Sequence, residues 1–275
     1  MDRVLKDITI GQHFPGNSPV HRLDPRIKIL ATIAYVVFLF LATNAVGLVL
    51  SIAMVLALYV VAQIPLKMLK KSLKPMIPII IFTVILNLFF ITGDGDPLFS
   101  VWKIEIYTEG IMFCIVMIVR ILCLISGTSL LTYTTSPIQL TDGLERLMKP
   151  LSVVKFPVHE MAMMMTIALR FIPTLIEETD KIISAQKSRG AMLDSGSFTD
   201  RVKALVPILI PLFISAFRRA DELATAMECR CYHGGANRTR LKQLKITSND
   251  IMCTVVCVVA FGVIFATRFF FTPLI

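Results

Sequence analysis

The sequence predicts an all-α integral membrane protein with about five transmembrane helices, long cytoplasmic helices and a short outer β-hairpin. Three observations predict it. The first is composition: 55% of the 275 residues are hydrophobic and 17% charged, with mean hydropathy +0.74, where a soluble domain carries about 25% charge. The second is the placement of the 28 lysines and arginines. Five lie in residues 1–28, four in 65–75 and sixteen in 134–249, leaving only Lys103, Arg120 and Arg268. Basic blocks separated by apolar runs are the positive-inside pattern, so the net charge of +9 reflects topology rather than a nucleic-acid partner. The third is the length of the apolar runs, since about 20 residues cross a hydrocarbon core of about 30 Å.

The elements follow in order. Residues 1–28 are polar and proline-rich, with no basic region leading directly into an apolar one, so no secretory signal is expected. Asp24 is placed to cap a helix that starts at Pro25, where a missing N–H costs nothing, and Arg26 and Lys28 are expected to anchor the first span at the inner face. No charge occurs from Ile29 to Leu66. That is too long for one span, and Thr43, Asn44 and Gly47 offer the break, giving spans at 27–43 and 46–64. Lys67, Lys70, Lys71 and Lys74, between Pro65 and Pro75, read as a basic inner loop whose charges lie near one face of a short amphipathic helix and snorkel to headgroups. A third span covers 78–91. Gly93 to Pro97 reads as a turn, and 101–107 alternates at period two, as a strand or hairpin does. Asp94, Asp96, Glu105 and Glu109 suit an outside loop. The fourth span, 110–132, carries Arg120, which at that depth needs a partner or water; a backbone carbonyl or a lipid phosphate is the expected contact. The fifth span is 251–267. The domains are then 1–133, 134–249 and 250–275, in a multi-pass cell-membrane protein whose N-terminus is cytoplasmic. The six cysteines form no disulfide framework and are expected to stay reduced.

Residues 134–249 hold two long helical segments. The first opens at Pro157 with an apolar run that Arg170 and Pro173 interrupt, turns polar past Pro173, and closes at Ser188-Arg189-Gly190, with Gly190 as a left-handed cap. Met161, Met163, Met164 and Met165 lie in its first half, either as core filler or as a surface that repacks against changing neighbours. Ser197 to Asp200 reads as a capping box for the second segment, which Pro207 and Pro211 kink and which stops near Gly234. It carries Cys229-Arg230-Cys231. The two segments repeat each other: Asp180 to Arg189 aligns with Asp221 to Arg230, each with Ser or Thr then Ala in the middle and Arg nine after the Asp.

Several chemistries are excluded or disfavoured. No G-x-x-x-x-G-K-[ST] run is present, so the chain has no phosphate-binding loop of that kind. No carboxylate lies in the middle of a span, which disfavours a proton- or sodium-coupled carrier. Cys229, Cys231 and His233 make only a partial zinc set, because positions i and i+2 point to different sides of a helix; no metal is expected. Glu177, Glu178 and Asp180 cluster, as a membrane-embedded lipid or prenyl-diphosphate enzyme would require, yet no second acidic motif faces them. A single arginine at a helix C-terminus is explained by the helix dipole. Two of them, each flanked by residues small enough to let a guanidinium enter a groove, point to docking.

The chain resembles the transmembrane T component of energy-coupling factor (ECF) vitamin and metal transporters, an ABC-type system. The resemblance rests on Gly11, Phe14-Pro15-Gly16-Asn17-Ser18 and His21-Arg22-Leu23-Asp24-Pro25-Arg26-Ile27-Lys28, on the two X-Arg-X tips and on the order of the spans. The second tip departs from the commoner Ala-Arg-Gly form in having cysteine on both sides. The resemblance implies a non-catalytic subunit whose coupling helices seat Arg189 and Arg230 in grooves of two ATPase subunits. The unlike tips favour non-identical ATPases. ATP and magnesium would be bound by those partners, with no cofactor in this chain. Motion would pass to a separate substrate-binding S component for vitamin or micronutrient uptake, with the methionines as its contact surface.

Overall fold

Asp24 starts the first long helix as its sequence position predicts. Its Oδ1 accepts the Arg26 N–H at 2.9 Å, and Pro25 takes the first helical position. The computed structural model describes residues 14–90, 99–101, 104–191, 198–234 and 246–270. Gly11, the turn at 93–97, Trp102, the linker at 193–197 with the Ser197 cap, and the basic stretch 238–245 lie outside the described residues. In chain order the helices are α1 (Pro19–Arg22), α2 (Pro25–Leu41), α3 (Ala45–Ala62), α4 (Leu66–Leu73), α5 (Ile77–Phe90), α6 (Thr108–Thr134), α7 (Pro137–Met148), α8 (Val158–Ser188), α9 (Phe198–Glu228) and α10 (Ser248–Phe270). Single 3-10 segments fill Lys74–Met76 and Lys149–Val154. Strands β1 (Phe99–Val101) and β2 (Ile104–Ile106) pair antiparallel, with Phe99 opposite Ile106. The described residues fall into two compact units, 14–143 with 246–270, and 144–234.

In the first unit, four helical stretches are long and apolar enough to cross a membrane: Ala45–Ala62, Leu66–Leu88, Thr108–Thr134 and Ser248–Arg268. The sequence suggests five. The remaining expected span, α2, ends at Ala42 after 17 residues, about 25 Å at 1.5 Å per residue, at the short end of the range for a crossing helix. The lysine-rich segment forms the expected short helix, α4, which runs on through the 3-10 turn into α5. Pro75 and Pro78 sit in the first positions of their elements, where no N–H is needed.

Helix α6 is the hub, packing against α2, α3, α4 and α5, while α10 closes on α2 and α3. Three tyrosines tie helices together through backbone carbonyls. Tyr35 Oη donates to Cys123 O at 3.0 Å, Tyr59 Oη to Ser126 O at 3.0 Å, and Tyr133 Oη to Met68 O at 3.1 Å, with Ser72 Oγ also bonded to Tyr133. Each hydroxyl thus finds the partner that burial demands. Phe38 stacks on Phe261 with centroids 4.9 Å apart. Asn44 Nδ2 donates to Thr267 O at 2.8 Å, so the predicted break between the first two apolar helices also holds the end of α10. Arg120 Nη2 donates to Ala42 O at 3.1 Å, with its guanidinium over the Phe40 ring. A carbonyl at the C-terminus of α2 lacks an intrahelical partner, and Arg120 supplies one.

The N-terminal signature is built around buried charge. Lys28, expected as an anchor at the inner face, is itself part of this buried set. It is 6% exposed, and its Nζ donates to His21 O at 3.0 Å and Thr134 O at 2.9 Å. Asp250, 2% exposed, accepts the Asp24 N–H at 2.8 Å through one oxygen and the Thr247 N–H at 2.7 Å through the other. The second contact is the reciprocal half of a capping box at the start of α10. His21 bridges Ser18 Oγ and Phe14 O, and the Phe14 N–H donates to Tyr133 O at 2.9 Å.

Gly127 lets α6 meet α2, since a Cβ there would fall on the Tyr35 ring. Gly127→Ala gains roughly 0.5–1 kcal/mol of helix propensity but overpacks a fixed ring, at about 1–3 kcal/mol. Overpacking wins, and the detergent-solubilised variant is expected to melt below the parent; an unchanged or raised melting temperature would refute this packing.

Candidate functional site: two arginine tips on paired helices

The second unit is organised by α8 and α9, each 31 residues long. Helix α8 continues through Pro173, and α9 through Pro207 and Pro211. The four-residue proline spacing has a consequence. Pro211 has no N–H to give to the Pro207 carbonyl, and Gln186 of α8 donates its Nε2–H there at 3.1 Å. Further along, Glu178 accepts from Arg219 Nη2 at 3.0 Å and from Ser215 Oγ. The Ser215 hydroxyl, and after it the Arg219 charge, holds the Glu178 carboxyl below the usual range, against partial desolvation. Of the acidic cluster, Glu178 is thus engaged in joining the helices, while Glu177 and Asp180 are exposed.

These contacts fix the direction of the pair. Moving forward along α8 from Glu178 to Gln186 moves backward along α9 from Arg219 to Pro207. The helices are antiparallel, so Arg189 and Arg230 lie in opposite directions from the joined stretch. At 1.5 Å per residue the tips are roughly 35 Å apart.

The two tips share one backbone motif. At the first, the Gly190 N–H donates to Lys187 O at 3.0 Å and the Ala191 N–H to Gln186 O at 3.0 Å. At the second, the Cys231 N–H donates to Glu228 O at 2.9 Å and the Tyr232 N–H to Met227 O at 3.1 Å. Each is the paired 5→2 and 6→1 bonding of a Schellman cap, with the arginine as the last half-helical residue. The left-handed position is Gly190 at φ +86° in one and Cys231 at φ +54° in the other. The sequence places the end of α9 near Gly234; the helix instead stops at Glu228, and Arg230 lies in the cap turn. The correspondence extends inward, where Ser184 Oγ donates to Asp180 O at 2.8 Å and Thr225 Oγ1 to Asp221 O at 2.9 Å.

Ser188, Arg189, Gly190, Cys229, Arg230 and Cys231 are all exposed. Neither guanidinium has a side-chain hydrogen bond or ion pair among the described residues. Two charged forks held on capped, inflexible turns can take carboxylates or carbonyls of another molecule. Met161, Met164 and Met165 are exposed on α8 and Met163 is half-buried, while Val158 and Ala162 take the buried positions. One feature escapes the sequence reading. Leu205, Leu209, Phe213 and Phe217 form an exposed apolar stripe along α9; its signal is the four-residue spacing, hidden by the overall hydrophobicity of the chain.

Comparison with known proteins decides the family. Residues 16–241 match the family model described as cobalt transport protein. The "energy-coupling factor transporter transmembrane protein EcfT" of Clostridium kluyveri is 51% identical over 257 residues, covering 93% of this chain and 95% of that one. The chain belongs to the ECF transporter T-component family. A T component of the same printed name from Thermosediminibacter oceani is 53% identical over 247 residues, covering 90% of this chain and 92% of its own. That of Bacillus subtilis is 44% identical over 265 residues, 96% of this chain and all of its own. As a T component the chain is a multi-pass, non-catalytic transporter subunit. The lipid or prenyl-diphosphate enzyme is set aside.

If the tips are equivalent, their caps respond oppositely to reciprocal substitution. A side chain in the left-handed region costs about 1–2 kcal/mol, so Gly190→Ala loosens its turn and Cys231→Gly tightens the other. Hydrogen exchange at Ala191 and Tyr232 in the intact protein reads both, faster in the first variant and slower in the second. No change in either would sink the equivalence.

Proposed function

We propose that this chain is the coupling subunit of an ECF-type ABC importer, passing ATP-driven motion of two ATPase subunits to a substrate-binding S component for vitamin or micronutrient uptake. The observation that carries the reading is the pair of matching capped turns, each presenting a bare arginine at an opposite end of two cross-linked helices. Ser188, Arg189 and Gly190 seat in one ATPase and Cys229, Arg230 and Cys231 in the other. The unlike flanks, Ser and Gly against two Cys, favour two non-identical ATPases. ATP and magnesium reside on those partners, and the chain itself lacks a phosphate-binding loop.

Rigid coupling is what the α8–α9 contacts supply. A push on one tip is carried along a helix joined to its neighbour by a charge-assisted bond and by an amide seated in the proline gap. Residues 134–249 form the coupling domain, between four N-terminal spans and a last one, with the N-terminus cytoplasmic and the β1–β2 ladder outside. Met161, Met163, Met164 and Met165 meet the S component, where flexible thioethers accommodate different surfaces.

Losing one partner of a desolvated, hydrogen-bonded charge at an interface costs about 2–5 kcal/mol. Arg189→Glu or Arg230→Glu alone is therefore expected to weaken co-purification of the ATPases. The double variant releases both while still eluting as a folded membrane protein. Stoichiometric ATPases on the folded double variant would overturn the docking assignment.

The methionine surface has its own test. With Met163, Met164 and Met165 changed to Gln, capture of the S component falls while the ATPases stay bound. Undiminished capture would remove these residues from the contact.

A further inference from the structure

Between α7 and α8 the chain projects a short finger, Lys149-Pro-Leu-Ser-Val-Val-Lys-Phe-Pro157. Its base is stapled by His159 Nδ1 and Glu145 Oε1 at 3.0 Å. Its shape is set internally. Ser152 Oγ donates to Lys149 O at 2.7 Å, and the Lys155 N–H donates to Ser152 O at 3.0 Å. Lys155 itself takes the left-handed conformation at φ +60°. The finger is a fixed turn. Its tip is apolar and bare, with Val153 85% and Val154 81% exposed, and Leu151 and Phe156 exposed beside them. No acidic residue occurs from Lys149 to Pro157, and neither lysine has an ion-pair partner among the described residues.

We propose that this finger is a membrane-surface anchor: Val153 and Val154 enter the edge of the hydrocarbon, and Lys149 and Lys155 hold anionic lipid headgroups on either side. Scattered exposed valines need no explanation, but two at the apex of a rigid turn, supported by Leu and Phe, form a single convex apolar point. A convex tip of small aliphatic residues flanked by lysine is a poor protein contact, because interface cores are enriched in Tyr, Trp, Phe, Met and Arg and depleted in Lys. It is a good interfacial one. Lysine stems lie along acyl chains while their amines reach phosphate, and apolar insertion plus attraction to anionic lipid is the combination that holds amphipathic segments at a bilayer surface. The bilayer is already at hand, since the chain carries four helices able to cross it. Nothing in this inference needs the ATPase or S-component assignments.

The test uses the full chain in nanodiscs, in a background with Cys229→Ser and Cys231→Ser. An environment-sensitive fluorophore is placed on Val154→Cys and, for reference, on the exposed Ala224→Cys. In discs containing phosphatidylglycerol, the probe at position 154 is expected to shift to the blue. It is also expected to be quenched by nitroxides at the shallow end of the acyl chain and shielded from aqueous iodide, whereas the probe at 224 is open to iodide. Lys149→Glu with Lys155→Glu abolishes the lipid quenching at 154. Equal iodide quenching at both positions overturns the proposal. So does shielding from iodide without nitroxide quenching, which would mean that protein rather than lipid covers the finger.

Discussion

The membrane-associated unit depends on buried charge bonded to backbone groups of neighbouring segments. Lys28 and Asp250 are almost sealed from solvent, and between them they meet His21, Thr134, Asp24 and Thr247. Those contacts join the N-terminal segment, the end of α6 and the start of α10. Desolvating either ion is expensive, so each must keep its backbone partners. Helices in lipid gain little from hydrophobic association, since acyl chains are as apolar as leucine. Directional bonds from buried charge to backbone therefore do what apolar packing cannot: they select which helix ends meet. The tyrosine bridges and Arg120 act likewise, each spending its polar group on a carbonyl of a neighbouring helix.

The second unit solves a different problem. Two long helices must act as one body, yet proline removes hydrogen bonds that stiffen a helix. The pair Pro207 and Pro211 leaves a carbonyl without its partner, and the neighbouring helix fills it with Gln186. A weakness in one rod becomes a joint between two. Glu178 adds an ionic joint further along, and the Ser215 hydroxyl and the Arg219 charge hold its carboxyl below the usual range. Between them the joints fix a stretch of about eight residues, on the order of 12 Å, from which both tips project.

What the sequence made legible was whatever is local. The Asp24–Pro25 helix start, the Asn44 break, the left-handed Gly190 and the paired arginines follow from residue type and spacing, and each is where the spacing puts it. A carbonyl as the partner of Arg120 was also within reach, because depth alone demands an acceptor. What stayed hidden was long-range. Asp250 looks like an edge residue until the chain brings it to Asp24, 226 residues away. Lys28 reads only as an inner-face anchor, because sequence gives its position along the helix and not the carbonyls its side chain reaches. The span count turns on a similar detail: a 17-residue helix and a proline-bearing 3-10 turn are lengths that composition does not resolve.

The two caps carry the repeat further than the sequence alignment alone would. Cysteine at the left-handed position costs strain that glycine avoids, so the second turn persists against a local penalty that the first does not bear. Its hydrogen bonds nevertheless match those of the first, bond for bond. A turn kept in the same geometry by an ill-suited residue is over-determined by what surrounds it. Here that includes the helix feeding it, the 6→1 bond of Tyr232 and the back-bonded Thr225 one turn below. The backbone geometry is thus the shared feature of the tips and the flanking side chains the variable one. A chain can then present one guanidinium position to two surfaces while the flanking residues distinguish them.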